Sequence, residues 1–549
     1  MVYSRSGATA LSREDLMSHN LLKPLAVATA LLACTPLAQA ATTLVYCSEA
    51  SPAGFDPSQY TSGTDFDASA ETVFNRLTQF KRGGTEVEPG LATSWEASTD
   101  GLSYTFHLRE SVKFHTTDYF TPTRDFNADD VLFTFNRLLD PNHPFRKAYP
   151  SESPYFTDMG LNTTLKNVEK IDARTVRFNL NNVDAAFIQN LAMSFASIQS
   201  AEYAEQLLKE GKAQDINLRP IGTGPFVFKR YQKDSQIRYA GNTQYWKPED
   251  VRLDNLIFSI NSDAAVRLQK LKTGECHVSG YPRPQDIEQM QQDPKLKVLS
   301  QPGFNLGFLA YNVSHPPLDQ LKVRQALDMA IDKPAIIKAV YQSAGVLAQN
   351  ALPPAQWGFD PDIKDAPHDP VRAKQLLKEA GVAPGTVIDL WAMTVQRASN
   401  PNARMSAQMI QADWEKIGIK ANIVSYEWGE YIKRAKAGEH DAMIYGWTGD
   451  NGDPDNWLGV LYSCAAVQGS NYAKWCDPAY DKLIQQAKVS NDREQRIDLY
   501  RKAQALLKAQ VPITPIANSR VFQPMRQEVQ DFKISPFGLT PFYGVGLGK

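Results

Sequence analysis

Three aspartates, Asp450, Asp453 and Asp455, fall within six residues of the segment Gly446-Trp447-Thr448-Gly449-Asp450-Asn451-Gly452-Asp453-Pro454-Asp455-Asn456. They follow the apolar, strand-like run Ala442-Met443-Ile444-Tyr445. The glycines among them let a backbone approach a ligand closely. Upstream, Arg397 ends Val395-Gln396-Arg397 just past another strand-like run. An anionic loop and a lone arginine on neighbouring strand ends can grip a small zwitterion by both poles. Arginine suits a carboxylate because its planar fork donates two parallel hydrogen bonds, and Asp450 suits an ammonium. The two ends of a dipeptide lie about two residue rises apart, each ~3.4 Å, so fixed countercharges would measure its length. The ligand backbone can pair as an added strand with Thr61-Ser62-Gly63 or with Trp447-Thr448-Gly449. Trp428 and Trp447 are expected as cleft walls, with water bridging to varied side chains.

Other chemistries find little support. As a calcium loop, the acidic segment has Gly452 in third place, Asp455 in the sixth where glycine is required, and Leu461 in the twelfth. The tail Gly544-Val545-Gly546-Leu547-Gly548-Lys549 lacks P-loop spacing. There is no Cys-x-x-Cys, His-Glu-x-x-His or Gly-x-Ser-x-Gly, so neither an enzyme, a metal nor a cofactor is indicated. His107 and His115 flank an expected hairpin and read as surface positions. A net charge of −2 without any basic tract argues against nucleic acid and against an anionic membrane surface.

Compartment decides what the cysteines mean. Lys23, the short apolar run from Pro24 to Ala33 and the small-residue site Ala38-Gln39-Ala40 together read as a secretory signal peptide, too short to span a bilayer. Residues 1–40 are therefore expected to be removed, with Met17 a better start than Met1, and the mature protein to be periplasmic. Lipidation at Cys34 fits poorly after Leu31-Leu32-Ala33. Cys47, Cys276, Cys464 and Cys476 remain, allowing three pairings in an oxidising compartment. A local Cys464–Cys476 bridge is the simplest choice, which would leave Cys47 to Cys276.

A mature chain of this length needs two or three domains. Strands are expected at 42–46, 104–108, 112–114, 174–180, 387–392, 421–426 and 442–447. Asn127 opens a helix bearing Val131, Phe135 and Leu138. Asp369 caps another that begins at Pro370, presents Ala373, Leu376, Leu377 and Ala380, and stops at Gly381. Met405, Met409, Ile410, Trp414 and Ile417 stripe a third. Strand–helix–strand order predicts an α/β fold with a mostly parallel sheet and its ligands at strand carboxyl ends.

Several ordered segments carry a resemblance. They include Tyr46-Cys47-Ser48-Glu49, Glu88-Pro89-Gly90-Leu91-Ala92, Pro220-Ile221-Gly222-Thr223-Gly224-Pro225-Phe226, Val323-Arg324-Gln325-Ala326-Leu327, Leu390-Trp391-Ala392-Met393, Tyr426-Glu427-Trp428-Gly429-Glu430-Tyr431 and Gly446-Trp447-Thr448-Gly449-Asp450. From Thr42 onward the chain resembles the family 5 extracellular solute-binding proteins of ABC importers. The resemblance implies two lobes closing on a ligand, one enlarged by an extra domain. Residues 42–75, 222–296 and 520–549 would form one lobe, 76–221 the extra domain and 297–519 the second lobe. It also implies the pairs Cys47–Cys276 and Cys464–Cys476. By the same resemblance Asp450 holds a peptide's α-ammonium and Arg397 its carboxylate. Ser399 stands where dipeptide-binding members have an aromatic, which bears on side-chain preference and peptide length. The expected partners are a dipeptide or other short peptide and an ABC permease, with the receptor a monomer. The alternatives are haem, a nickel complex or longer peptides on the same fold, and a peptidase.

Overall fold

The computed structural model describes residues 41–548; the expected signal peptide lies outside them. A mixed sheet of 12 strands runs through the molecule. In its first half Thr43–Ser48 lies parallel to both Asn255–Ile260 and Val278–Ser279, and Gln236–Gly241 and Phe226–Gln232 extend that edge antiparallel. In its second half Ala442–Thr448 pairs antiparallel with Asn305–Tyr311 and parallel with Val387–Trp391, which is parallel to Lys420–Val424. One long strand, Ile513–Arg526, joins the halves. Its first residues pair with Asn305–Tyr311 and Gly345–Leu347, and from Arg520 on it pairs with Leu296–Pro302.

The expectation of a mostly parallel sheet is corrected by these pairings. Parallel neighbours need a crossover, and the chain supplies one only in places, such as the helix Ala403–Lys416 between Val387–Trp391 and Lys420–Val424. Elsewhere the neighbours run antiparallel, joined by a tight turn between Phe226–Gln232 and Gln236–Gly241 and brought together from distant parts of the chain where Asn305–Tyr311 meets Ala442–Thr448 and Ile513–Arg526. The expected lobe boundary at 296/297 separates Leu296–Pro302 from its own partner strand, and the one at 519/520 falls inside an unbroken strand.

Within residues 76–221 a second, four-stranded antiparallel sheet runs in the order Ala92–Ala97, Ser103–Leu108, Thr175–Leu180, Leu165–Asp172. The helix Ala128–Leu139 starts where expected, with Asn127 and Asp130 closing a reciprocal capping box. The expected strand 112–114 does not form, because both edges of Ser103–Leu108 are already taken. Its residues turn inward instead, burying Val112 and Phe114. His115 follows them, so its assignment to the surface is also corrected. It is buried, its Nε2 lies 2.9 Å from the Gly224 carbonyl, and burial pushes its pKa down to about 4.

Helix Pro370–Glu379 matches its sequence signals, with the Asp369 carboxylate accepting from the Arg372 N–H at 2.8 Å. In Ala403–Lys416 the buried face is Ala403, Ala407, Ile410 and Trp414. Met405 is off that face and exposed, which corrects the expected stripe. Both expected disulfides are present, with Cα separations of 5.8 Å for Cys47–Cys276 and 4.5 Å for Cys464–Cys476.

A buried ion pair ties the helix Ala128–Leu139 to the segment that follows the first strand, Thr43–Ser48. Arg137 donates from Nη1 and Nη2 to the two oxygens of Asp56 at 2.7 and 2.8 Å. Burial alone would push Asp56 up, but the guanidinium holds it below the usual carboxylate range. Removing one partner strands the other charge in the interior, so Arg137→Ala is expected to cost about 3–5 kcal/mol, read from the shift of the urea unfolding curve.

Candidate functional site

Three charged residues stand just past the carboxyl ends of three strands: Glu49 after Thr43–Ser48, Arg397 after Val387–Trp391 and Asp450 after Ala442–Thr448. Arg397 and Asp450 both line one cavity of about 120 Å³ between the halves of the sheet. Thr61, Ser62, Gly63, Ser399, Trp428, Trp447 and Thr448 share its wall, and Tyr155 enters from the short helix Pro154–Asp158. A larger space of about 510 Å³ adjoins it across Thr61, Ser62, Trp428 and Tyr445.

Asp450 accepts a hydrogen bond from the Tyr155 hydroxyl at 2.5 Å, and its own N–H donates to Asn456 Oδ1 at 2.8 Å. Among the described residues no cationic side chain neutralises it. Burial pushes its pKa up to about 7, against the opposing pull of the Tyr155 hydroxyl. The site thus holds a carboxylate whose ionised form is held back by want of a cation. The other two aspartates of the segment are structural. Asp453 is paired with Arg496 at 2.8 Å, and Asp455 lies 3.7 Å from Lys488 Nζ.

Arg397 is arranged differently. Its Nη1 donates to Glu49 Oε1 at 2.9 Å and to the Gln396 carbonyl at 3.0 Å, and its Nη2 donates to Thr64 Oγ1 at 3.3 Å. Thr64 in turn donates to the same Glu49 oxygen at 2.5 Å. The guanidinium carbon sits 5.0 Å from the Tyr281 ring centroid and 5.5 Å from that of Trp428, in cation–π range. Burial alone would lower the arginine's pKa, but the Glu49 carboxylate raises it. Nε makes no hydrogen bond within the described protein, so the fork keeps donors for a ligand.

Local sequence explains how this arginine is held. The Arg397 and Asn400 main chains bond each other at 3.2 and 3.1 Å in a tight turn. Tyr341 donates to the Ser399 carbonyl at 2.7 Å, Ser519 to the Ala398 carbonyl at 2.6 Å, and Asn400 Nδ2 to the Tyr445 carbonyl at 2.8 Å. Two glycines make room for the turn. A Cβ at Gly307 would meet the Ser399 carbonyl oxygen at 2.1 Å, and one at Gly446 would meet Ser399 Oγ at 2.3 Å. Ser399 is buried in that contact, so a bulkier residue there requires the strand to move.

Backbone is also on offer. Strand Ala442–Thr448 pairs with Val387–Trp391 only at Ala442 and Met443, which leaves its 446–448 edge facing the cavity unpaired. The other edge is spent on Asn305–Tyr311. Gly449 is not among the residues lining the cavity. Its N–H donates to the Phe304 carbonyl at 2.9 Å, and a Cβ there would strike the Phe304 ring and Trp457. Sequence reasoning missed Glu49, Thr64, Tyr155 and Tyr281 as site residues. Glu49 could have been found from its place at the end of the first strand, but nothing near Tyr155 marks it.

Comparison with known proteins adds the following. The model of the bacterial extracellular solute-binding proteins, family 5, matches residues 86–469. A Pseudomonas aeruginosa protein named di/tripeptide-binding protein 1 is 66% identical over 537 residues, covering 98% of this chain and 100% of that one. Heme-binding protein A of Haemophilus influenzae is 49% identical over 505 residues, 92% of each chain. The crystal structure of a dipeptide-binding protein from a Pseudoalteromonas species, in complex with Met-Leu, superposes with a TM-score of 0.89 at 39% identity, covering 92% of this chain and 100% of that one.

The raised pKa of Asp450 sets a pH dependence. In the empty protein the carboxyl is protonated below about 7, whereas a bound ammonium favours its ionised form. Affinity for an ammonium-bearing ligand is therefore expected to fall by up to about tenfold per pH unit below that value, with one proton released per ligand bound. Calorimetric titration in two buffers of different ionisation enthalpy reads both. Asp65, which burial also pushes up to about 7, is separated by the variant Asp450→Asn, whose remaining affinity should lose this dependence.

Proposed function

Because the chain belongs to the family 5 bacterial extracellular solute-binding proteins, we propose that it captures dipeptides and other short peptides and hands them to an ABC permease. Asp450 takes the peptide's α-ammonium and Arg397 its terminal carboxylate. One observation carries this reading: a half-buried, unneutralised carboxylate and an arginine with unspent donors face the same small cavity. The ligand main chain pairs with the free 446–448 edge and meets Thr61, Ser62 and Gly63 on the opposite wall. Trp428 and Trp447 provide apolar cover, and Ser399 fixes the turn from which Arg397 projects. The adjoining space accepts varied side chains with bridging water, so grip on the two charged ends is compatible with breadth between them.

The receptor is non-catalytic in this reading, and its signal is closure of two lobes upon the ligand. Tyr155 gives the inserted domain a direct part in that closure through its hydrogen bond to Asp450. The leader-like residues 1–40, with cleavage near Ala40, support export to the periplasm, where the receptor works as a monomer in this reading. The similarity to a relative named for haem favours a second cargo. The cavity wall offers no histidine or cysteine to an iron, and absorbance of the protein after incubation with haem decides the matter.

Asp450→Asn and Arg397→Ala are each expected to weaken dipeptide binding at least about tenfold, in line with the roughly 2–5 kcal/mol that follows truncating one partner of a buried charge pair. Calorimetric titration with dialanine measures it, and wild-type affinity in either variant removes that residue from the site. Free alanine should not appear on prolonged incubation, and its release would make the protein a peptidase.

A further inference from the structure

Arg397 borders two spaces. Besides the main cavity it lines a smaller one, of about 40 Å³, that shares Tyr281, Ala398, Val521 and Phe522 with it. On the wall of this second space stands another arginine, Arg520, on the strand that joins the two halves of the sheet. Its Nε and Nη2 both donate to Ser300 Oγ, at 3.0 and 2.9 Å. A neutral hydroxyl therefore occupies the fork edge that suits a carboxylate. Among the described residues no carboxylate forms an ion pair with Arg520, and the only charged side chains around this space are the two arginines.

The opposite end of the cavity has a different character. The small space beyond Asp450 is ringed by Arg76, Lys81 and Arg82, with Glu71, already bonded to Arg76, as its only other acid. An ammonium pushed in that direction meets like charge. A ligand longer than two residues that keeps its amino end at Asp450 can grow past Arg397, toward a place that attracts a carboxylate. We propose that Arg520 is a second carboxylate station, which lets the site hold tripeptides in addition to dipeptides.

In a dipeptide complex the ligand carboxylate rests on Arg397. In a tripeptide complex that position is taken by the second peptide group, whose carbonyl accepts from Arg397. The third residue then enters the smaller space, and its carboxylate displaces Ser300 from the guanidinium of Arg520. One residue adds about 3.4 Å of reach. The space, at roughly three times the ~10–15 Å³ that admits a water, suits a small third residue better than a large one.

This inference rests on the peptide-receptor reading, and calorimetric titration of the mature chain with dialanine, trialanine and trialanine amide separates the two. Arg520→Gln is an exposed change that should leave the thermal transition in place. It is expected to weaken trialanine at least fivefold while keeping dialanine within twofold of wild type, and to make no difference to trialanine amide, which lacks the charge. Unchanged trialanine binding, an equal loss for both peptides, or a wild-type protein that binds dialanine but no trialanine overturns the second station. Failure of the wild type to bind either peptide overturns the receptor reading and the station with it.

Discussion

The structure turns on a half-buried carboxylate at a cavity wall, with no cation beside it among the described residues. Asp450 is walled in by the sheet, by the ring of Tyr155 and by Trp447, and burial lifts its pKa to about 7. Several structural carboxylates are neutralised on the spot, Asp56 by Arg137, Asp453 by Arg496 and Asp328 by Lys333. Asp65, Asp67 and Asp184 are also buried with no ion pair among the described residues, and Asp450 differs from them in lining the cavity beside Arg397. A lone buried charge is unfavourable unless something completes it, and here the missing partner comes from outside. A ligand ammonium gains from entering because the protein alone cannot satisfy that site.

Arg397 solves the converse problem. A buried guanidinium awaiting an anion would be equally unfavourable in the empty protein, but Glu49 and Thr64 hold it in place while leaving part of its fork unspent. Glu49 follows the strand Thr43–Ser48 and Arg397 the strand Val387–Trp391, so the pair also links the two halves of the sheet. The turn that presents Arg397 depends on small residues opposite it, Gly307 and Gly446, and on side-chain clamps from Tyr341, Asn400 and Ser519. Backbone geometry around the cavity is thus set by residues that never meet the ligand.

Much of this was legible in the sequence where the signal was local. Asp369-Pro370 and Asn127-Ala128-Asp129-Asp130 announced helix starts because capping is decided within a few residues. Asp450 and Arg397 stood out as opposite charges following apolar strands, Asp450 by two residues and Arg397 by six, and both line the cavity. What escaped depends on distant partners. Glu49 reaches Arg397 across 348 positions and Tyr155 reaches Asp450 across 295, separations that no short-range pattern encodes. Asp453 and Asp455 look the same as Asp450 in the sequence, and only the placement of Arg496 and Lys488 assigns them to the scaffold. The mixed sheet was missed because alternation identifies strands without giving their direction.

The most direct measurement is a crystal structure of the mature protein grown with dialanine. The account predicts the ligand ammonium within about 2.7–3.2 Å of an Asp450 carboxylate oxygen, and the ligand carboxylate at hydrogen-bond distance from the Arg397 guanidinium. A dialanine bound in the reverse direction, or seated where neither side chain touches it, contradicts the account.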